Sequence, residues 1–521
     1  MAVREKNPVS TKKILYSILT GVLLTASFTL GNLDWVAWFA LVPLLKAIDN
    51  ESHFNGFKLG FIAGFVHYLT LIYWIIVVLG NYGGLNIVIS FSILFLFCIY
   101  LSLFPGLFCF LICYMKGTRF RILMTAGIWV SLEYIRANIL TGFPWCLLGY
   151  TQFENLNLIQ ISALVGVYGL SFLIVISNAL IHRLFFDRSI LGKKRVLLWE
   201  MPVILLVAFF TLAYGHYRLS SYNIKERSQK TIKVAIIQGN IDQSIKWDPL
   251  YQEKTIDLYH ELTRKTYGFK PDLIVWPETS APFFFQDETK FSNKVLRIAK
   301  ESRADLIFGS PAYRREDKAI KLYNRAYHLS PTGEMSGYYD KVHLVPFGEY
   351  VPLKRFLPFI HRLVPAAGDF SAGKKIAPLR LPYLSAGILI CFEAIFPELA
   401  RAQVKEGADI LVNLTNDAWF GMTSAPYQHL SMSVFRAVEN QRPLIRAANT
   451  GFSAFINPLG KITTRGDLFK EEVLEQKVAI GGFPLTFYAR YGDLFAFAIL
   501  IICLLKFFYF LCYHLYIGKK H

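Results

Sequence analysis

The chain has 521 residues, of which 54% are hydrophobic, 16% aromatic and only 18% charged, with a formal net charge of +18 and a mean hydropathy of +0.38. That composition is too apolar for a soluble enzyme along its whole length and too charged for a protein wholly embedded in lipid. The apolar residues are unevenly spread: residues 14–214 and 493–513 are dominated by long apolar runs, whereas about 220–490 has globular composition.

In chain order, runs near 14–30, 34–47, 59–80, 86–115, 122–138, 157–182, 196–214 and 493–513 have roughly the length needed to cross hydrocarbon as helices, the second being short and the fourth long. Basic residues before the first run suggest a signal peptide, but no small-x-small cleavage site follows, and further apolar spans come directly after it. The domains expected are therefore a multi-span bundle of about seven helices over 1–215, a globular domain over 220–490 and one closing helix at 493–513.

Lys and Arg in the short connections set the orientation. Arg4, Lys6, Lys12 and Lys13 precede the first run, and Lys46 and Lys58 flank one connection. Lys116, Arg119 and Arg121 mark the next, Arg183, Arg188, Lys193, Lys194 and Arg195 another, and Lys519 and Lys520 close the chain. The alternate connections near 31–33, 81–85 and 139–156 carry no Lys or Arg, and Arg136 is the one discordant charge. Both termini are therefore expected in the cytoplasm and the 220–490 domain on the opposite side. The same loops account for much of the positive charge, so a nucleic-acid partner is not expected.

Within 220–490 short apolar strands alternate with helical periodicity. Strands are expected at TIKVAIIQGN (231–240), DLIVWPE (272–278), ADLIFGS (304–310), YNRAYHLS (323–330), SAGILICFE (385–393) and ADILVNLTND (408–417), with helices at 249–267, 287–303, 396–406 and 426–440. NPLG (457–460) reads as a hairpin turn. Such alternation predicts a layered α/β domain whose polar strand ends form a site at one edge.

Of seven cysteines, Cys98, Cys109, Cys113, Cys146, Cys503 and Cys512 lie in or beside the apolar runs, and Cys391 alone lies in the globular domain. Without a second thiol there it cannot form a disulfide within that domain, which leaves a reactive thiol or a small buried hydrophobe. Glu278 in WPETS, and Lys341 with Glu349 in YYDKVHLVPFGEY, supply the rest of a nucleophilic site. A thiolate attacks a carbonyl, a desolvated carboxylate takes and returns the proton, and an ammonium stabilises the oxyanion. Each residue taken alone also has a bland reading: a helix-capping or solvated Glu278, a surface pair of Lys341 with Asp340, and structural roles for Glu349 and Glu393.

WPE (276–278), DKVHLVPFGE (340–349) and CFE (391–393), in that order, closely resemble the nitrilase (carbon–nitrogen hydrolase) superfamily. QGNIDQSIKW (238–247), NLTNDAWFG (413–421), RPLIRAANTG (442–451) and FPW (143–145) extend the resemblance along the chain, toward that superfamily's membrane-bound acyltransferase branch in bacterial inner membranes. The resemblance implies an α-helical membrane bundle of about eight transmembrane helices and an extracytoplasmic α/β nitrilase-like αββα sandwich. It places a catalytic triad on Glu278, Lys341 and Cys391, and implies a ping-pong transfer through a Cys391 thioester. The acyl donor would be a phospholipid, and the acceptor the α-amine of the diacylglyceryl-modified N-terminal cysteine of an apolipoprotein. Glu278 would act as base and acid, and Lys341 would hold the oxyanion with a backbone amide near residue 392. Glu349 would orient Lys341 or assist proton transfer, and Glu393 would support the loop. Phe392 stands where the family often has Tyr, so any role of that hydroxyl is missing here.

Trp247 and Trp419 become lipid-contacting candidates by the same resemblance, although composition alone favours buried core tryptophans. Residues 342–375 are expected to form a lid or a membrane-dipping arm, or else a packed surface loop. No Walker loop, dinucleotide fingerprint or metal-ligand cluster stands out, so neither cofactor nor metal is expected; the partners expected are substrates and membrane lipids, with the chain a monomer. Two other readings stay open: a membrane-anchored amidase that hydrolyses its thioester, and a transporter or receptor with an inert sensor domain. The small number of ionisable residues in the spans, Glu133 and Arg136 among them, weighs against the second.

Overall fold

The structure is a computed structural model that describes residues 9–28, 32–115, 120–186, 194, 196–226, 230–316, 319–350 and 369–518. The chain forms two compact units. One comprises residues up to Tyr73, Phe91–Gly215 and from Asp493 on; the other comprises Trp74–Ser90 and His216–Gly492.

Ile87–Tyr114, Ser162–Phe186, Leu198–Tyr222 and Leu494–Cys512 are long and apolar enough to cross a membrane, and the bent pair His53–Leu71 and Ile75–Tyr82 makes a fifth if counted as one span. Thr11–Ala26 and Arg121–Asn138 are helical but fall short of that length and composition. Gly56, Gly60 and Gly64 stand four residues apart on one face of His53–Leu71, where an added Cβ would collide with Cys113, Cys109 or Pro105. Small residues at that spacing let two helix backbones approach closely.

Three expected spans differ from the structure. Residues 34–47 are a 3-10 turn, Asp34–Trp38, followed by the short helix Val42–Ala47. The irregular backbone between them is satisfied by Asn178, whose Oδ1 accepts from the Leu41 N–H at 2.7 Å and whose Nδ2 donates to the Ala37 carbonyl at 2.8 Å. Irregular backbone survives away from water only with such partners. The 157–182 run is interrupted by Gly166, at φ 65 and ψ −174, a conformation open to glycine. The 59–80 run ends as a helix at Leu71, and residues from Trp74 onward pack with the α/β unit. The Arg136 guanidinium donates to the Trp145 carbonyl at 3.4 Å and lies 5.5 Å from the Tyr68 ring centre, while Glu133 Oε1 accepts from the Leu148 N–H at 2.8 Å. Both charges are thus absorbed by packing within their own unit.

The α/β unit contains twelve strands: β1 (Lys230–Gln238), β2 (Leu273–Val275), β3 (Asp305–Glu316), β4 (Ala319–Leu329), β5 (Met335–Asp340), β6 (Leu379–Arg380), β7 (Ser385–Ile390), β8 (Ile410–Thr415), β9 (Leu444–Ala448), β10 (Ala454–Ile456), β11 (Ile462–Arg465) and β12 (Glu472–Ile480). They form two six-stranded sheets, ordered β12-β1-β2-β3-β4-β5 and β11-β10-β9-β8-β7-β6. One apolar core, with Val234, Val275, Ile388 and Val412, joins the two sheets. A second, with Tyr259, Trp276, Val295 and Ile298, fills the space between the first sheet and the helices Pro249–Lys265 and Lys290–Ser302. The helices Pro397–Lys405 and Ala425–Asn440 go with the second sheet. The result is an αββα sandwich.

Strands β7, β8 and β9 are parallel and buried at every position, as strands covered on both faces are. β1, β2 and β3 are also parallel, and the antiparallel pairs β3–β4 and β4–β5 turn β5 back to the direction of β3. The carboxyl ends of β1, β2 and β5 therefore share one sheet edge, and those of β7 and β8 share one edge of the other sheet.

Candidate active site

The side chains singled out in the sequence leave these carboxyl ends. Glu278 lies three residues beyond β2, Lys341 directly follows β5 and Cys391 directly follows β7. The Glu278 loop lies tight against β3, where a Cβ on Gly309 would stand 2.7 Å from the Glu278 Cα. Thr279 and Cys391 both have φ 51, in the left-handed region that side chains other than glycine rarely occupy. Strain of that kind persists where surrounding structure over-determines it.

Lys341 is 1% exposed, and its Nζ lies 2.8 Å from Glu349 Oε2 and 3.9 Å from Glu278 Oε1. Asn324, on β4, ties the two carboxylates together: its Nδ2 donates to Glu278 Oε1 at 2.7 Å and to Glu349 Oε1 at 2.9 Å. Glu349 Oε2 also accepts from the Val345 N–H at 2.8 Å. Glu278 Oε2 is buried and has no hydrogen-bond partner among the described residues. Lys246, 2% exposed, donates from its Nζ to the Glu278 backbone carbonyl at 3.1 Å.

Electrostatics follow this packing. Burial raises the Glu278 pKa and Glu349 adds to the rise, against the pull of Lys341. Burial opposes the Lys341 charge, but Glu349 and Glu278 outweigh it and hold the ammonium above the ordinary lysine range. The Cys391 thiol is pushed up to about 12 by burial and by Glu278, with Lys341 drawing it down. It therefore rests as a thiol and needs a base to become a nucleophile. Burial brings Lys246 down to about 8.

Glu393 is fully buried and clamps the loop after β5 to the end of β7. Its Oε1 accepts from the Val342 and His343 N–H groups at 2.7 and 3.1 Å and from the Tyr339 hydroxyl at 3.1 Å, and its Oε2 accepts from the Ile390 N–H at 2.7 Å. Burial raises it to about 7 against those donors. His343 is stacked 3.7 Å from the Phe396 ring and pushed down to about 4 by burial and Lys341, so it is neutral and packed rather than poised as a base. The Phe392 ring packs 5.1 Å from Phe396.

Glu278, Lys341, Cys391, Glu349 and Glu393 thus come together. The two tryptophans are not buried core: Trp247 is 48% exposed beside Lys246, and Trp419 meets Tyr82 with ring centres 5.5 Å apart. Of the 342–375 segment, residues 351–368 lie outside the described residues. Lys246 and Asn324 were not singled out from the sequence. Lys246 had a signal, since it sits in the QGNIDQSIKW stretch; Asn324 had none, because it enters the site only through β4 pairing with β5. Among the described residues no group of three or more His, Cys, Asp or Glu side chains is placed to hold a metal ion.

The sequence matches the family described as apolipoprotein N-acyltransferase N-terminal domain over residues 20–180, and that described as carbon–nitrogen hydrolase over residues 233–482. It is 44% identical over 492 residues to an apolipoprotein N-acyltransferase of Geobacter metallireducens, covering 94% of each chain. Proteins of the same name from Haemophilus influenzae and Pasteurella multocida are 33% and 32% identical, over 89% and 94% of this chain and 88% and 93% of theirs.

Proposed function

The chain belongs to the apolipoprotein N-acyltransferase family, and from that premise we propose that Glu278, Lys341 and Cys391 are its catalytic triad. Lipoprotein N-acylation is the function of this family, which acts on phospholipid and lipoprotein substrates, and the apolar helices accord with a membrane protein. The observation that carries the assignment is the asymmetry of Glu278. Asn324 holds one carboxylate oxygen, while the other is buried without a hydrogen-bond partner among the described residues. An oxygen in that condition is ready to take a proton.

In the first step Glu278 takes the Cys391 proton as sulfur attacks the ester carbonyl of a phospholipid. The Lys341 ammonium and the Phe392 N–H stabilise the oxyanion. Collapse breaks the ester C–O bond, and the leaving lysophospholipid oxygen takes the proton from Glu278. In the second step the α-amine of the diacylglyceryl-cysteine attacks the thioester and Glu278 accepts its proton. The amide forms as the C–S bond breaks, and that proton returns to Cys391. Glu349 and Asn324 orient Lys341 and Glu278, and Glu393 keeps the Lys341 loop on the nucleophile strand. Trp247, exposed next to Lys246, and Trp419, packed on Tyr82, are the residues proposed to touch lipid.

The same reading extends to organisation. We infer a bundle over 1–215, a catalytic domain over 220–490 and a closing span at 493–513, in a bacterial inner membrane. Lys and Arg in alternate connections support cytoplasmic termini and a catalytic domain at the outer leaflet.

The test is to incubate purified protein with phospholipid carrying a labelled acyl chain, without acceptor, beside Cys391→Ala. A hydroxylamine-sensitive label on the wild type alone, transferred on adding a diacylated lipopeptide, is the expected result. No label on folded protein whose Cys391 still reacts with a thiol probe sinks the assignment.

A further inference from the structure

On the other side of Cys391 lies a second buried cluster that the triad chemistry does not use. Asp417 follows β8, His429 is on the helix Ala425–Asn440 and Arg446 is on β9; none is more than 1% exposed. His429 Nε2 lies 3.2 Å from the Cys391 carbonyl oxygen. A carbonyl only accepts, so Nε2 carries the hydrogen and donates. His429 Nδ1 lies 3.1 Å from Arg446 Nη2, which only donates, and 3.0 Å from Asp417 Oδ1. Burial and Arg446 keep the imidazole pKa below its ordinary value, and the Cys391 carbonyl, which only accepts, fixes a hydrogen on Nε2.

The partners of the ring are fixed in turn. Arg446 Nη2 donates to Asp417 Oδ2 at 2.7 Å and the Thr415 hydroxyl donates to Asp417 Oδ1 at 3.0 Å. Arg446 also donates to the Asn413 side-chain carbonyl, to the Phe452 carbonyl at 3.2 Å and to the Ser433 hydroxyl at 3.3 Å. The imidazole is therefore a rigid donor aimed at one backbone atom of the nucleophile.

A trans peptide is planar, and its C=O and N–H point in opposite directions. Holding the Cys391 carbonyl therefore sets the direction of the Phe392 N–H across the same plane. The need for such a hold is written in the backbone, because Cys391 sits at φ 51, in the left-handed region that a non-glycine residue rarely occupies. We propose that His429 is a positioning residue that aims the Phe392 N–H at the oxyanion by anchoring the Cys391 carbonyl, with Asp417 and Arg446 fixing its ring. The inference rests on Cys391 being the acylated nucleophile.

The experiment uses the full chain and separates two reactions of one thiol. Acylation by labelled phospholipid passes through an oxyanion; alkylation by iodoacetamide, read on the peptide carrying Cys391, does not. Wild type comes first, and a wild type that takes no label overturns the triad reading rather than this one. With wild type labelled, His429→Leu is expected to slow acylation about 10²-fold while alkylation stays within about threefold, the loss typical of one oxyanion donor. His429→Gln, whose amide N–H reaches about as far as Nε2, is expected to recover most of the rate. His429→Asn stops one methylene short and is expected to remain slow, which supplies the comparison with Gln if the Leu variant does not fold. Acylation and alkylation falling together, unimpaired acylation in the Leu or Asn variant, or a Gln variant no faster than Asn each overturn the proposal.

Discussion

Two buried polar clusters meet at Cys391, and they are built on opposite rules. Around Lys341, two carboxylates share one ammonium and an asparagine, and one carboxylate oxygen has no hydrogen-bond partner among the described residues. Around Asp417, one carboxylate meets one guanidinium, both its oxygens accept hydrogen bonds, and the neighbouring histidine is engaged at both nitrogens. A fully paired network in a low-dielectric interior is rigid, whereas a partly paired one holds a group whose proton affinity is raised. The first cluster is where protons can move, and the second is where atoms are held still. Three variants test that division, from the largest expected effect to the smallest.

Glu278→Gln keeps the shape of the first cluster and removes its base. Acylation is expected to fall by about 10²–10⁴-fold, the usual contribution of a positioned general base. Because the Glu278 charge is one cause of the raised Cys391 pKa, the same change should bring that pKa below about 12. Alkylation of Cys391 would then begin at lower pH than in wild type while acylation is lost. In wild type the base must be ionised, and burial raises Glu278 above the glutamate value of 4.5, so acylation should fade on the acid side at a pH above that value. An alkylation profile that does not move, or acylation that survives, removes Glu278 from the base role.

Lys341→Met and Arg446→Met compare the clusters directly by thermal unfolding. Each strips the cation from buried carboxylates, for an expected loss of about 3–5 kcal/mol. The pH dependence should separate them. Without Lys341, Glu278 faces Glu349 unscreened, and its folded pKa, already raised by burial, rises further above that of the unfolded chain. Stability from groups raised in this way is present below the unfolded value and lost as pH rises through the folded one. Lys341→Met should therefore lose most stability at alkaline pH and recover part of it near pH 5. Arg446→Met leaves a single carboxylate with His429 and Thr415 still in contact, so its pH dependence should be the weaker of the two. Equal profiles would mean that the clusters do not differ in charge balance.

The two clusters were not equally legible in the sequence. Glu278, Lys341 and Cys391 follow strand-like runs and belong to short motifs, so their residue types and places were readable. Glu349 and Glu393 share those motifs. Asp417 and Arg446 lie in the NLTNDAWFG and RPLIRAANTG stretches but were not singled out within them, whereas Asn324 and His429 contribute by strand register and by the face of one helix, which no local pattern reveals. The central strands were readable because β7 and β8 are unbroken apolar runs. β12 was missed because its first six residues are only partly buried or exposed, and its partner β1 lies more than two hundred residues away in sequence. In the apolar region hydropathy located apolar helices but not their continuity. Residues 34–47 break because Asn178 satisfies their backbone, and residues 74–90 leave the 59–80 run because they pack with the other unit.

That last departure provides the smallest test, because it extends the rigid cluster by one residue. Trp74 is 6% exposed and its Nε1 donates to Gln428 Oε1 at 3.1 Å, one position before His429 on the same helix. Its ring also meets Phe420 edge-on, with centres 5.0 Å apart. Trp74→Phe keeps an aromatic ring and loses the N–H, which should cost about 1 kcal/mol, or roughly 2–4 °C in melting temperature. Gln428→Leu alone should cost a similar amount by removing the acceptor of the indole N–H. The double variant should cost less than the two single losses added together, because replacing both partners of a buried hydrogen bond leaves no polar group without its mate. If Gln428 belongs to the still part of the site, none of the three changes should shift the pH at which Cys391 is alkylated. Additive losses would mean that this hydrogen bond does not fasten residues 74–90 to the unit. A shifted alkylation profile would mean that the helix bearing His429 transmits disturbance to the nucleophile and is less rigid than its saturated hydrogen bonds imply.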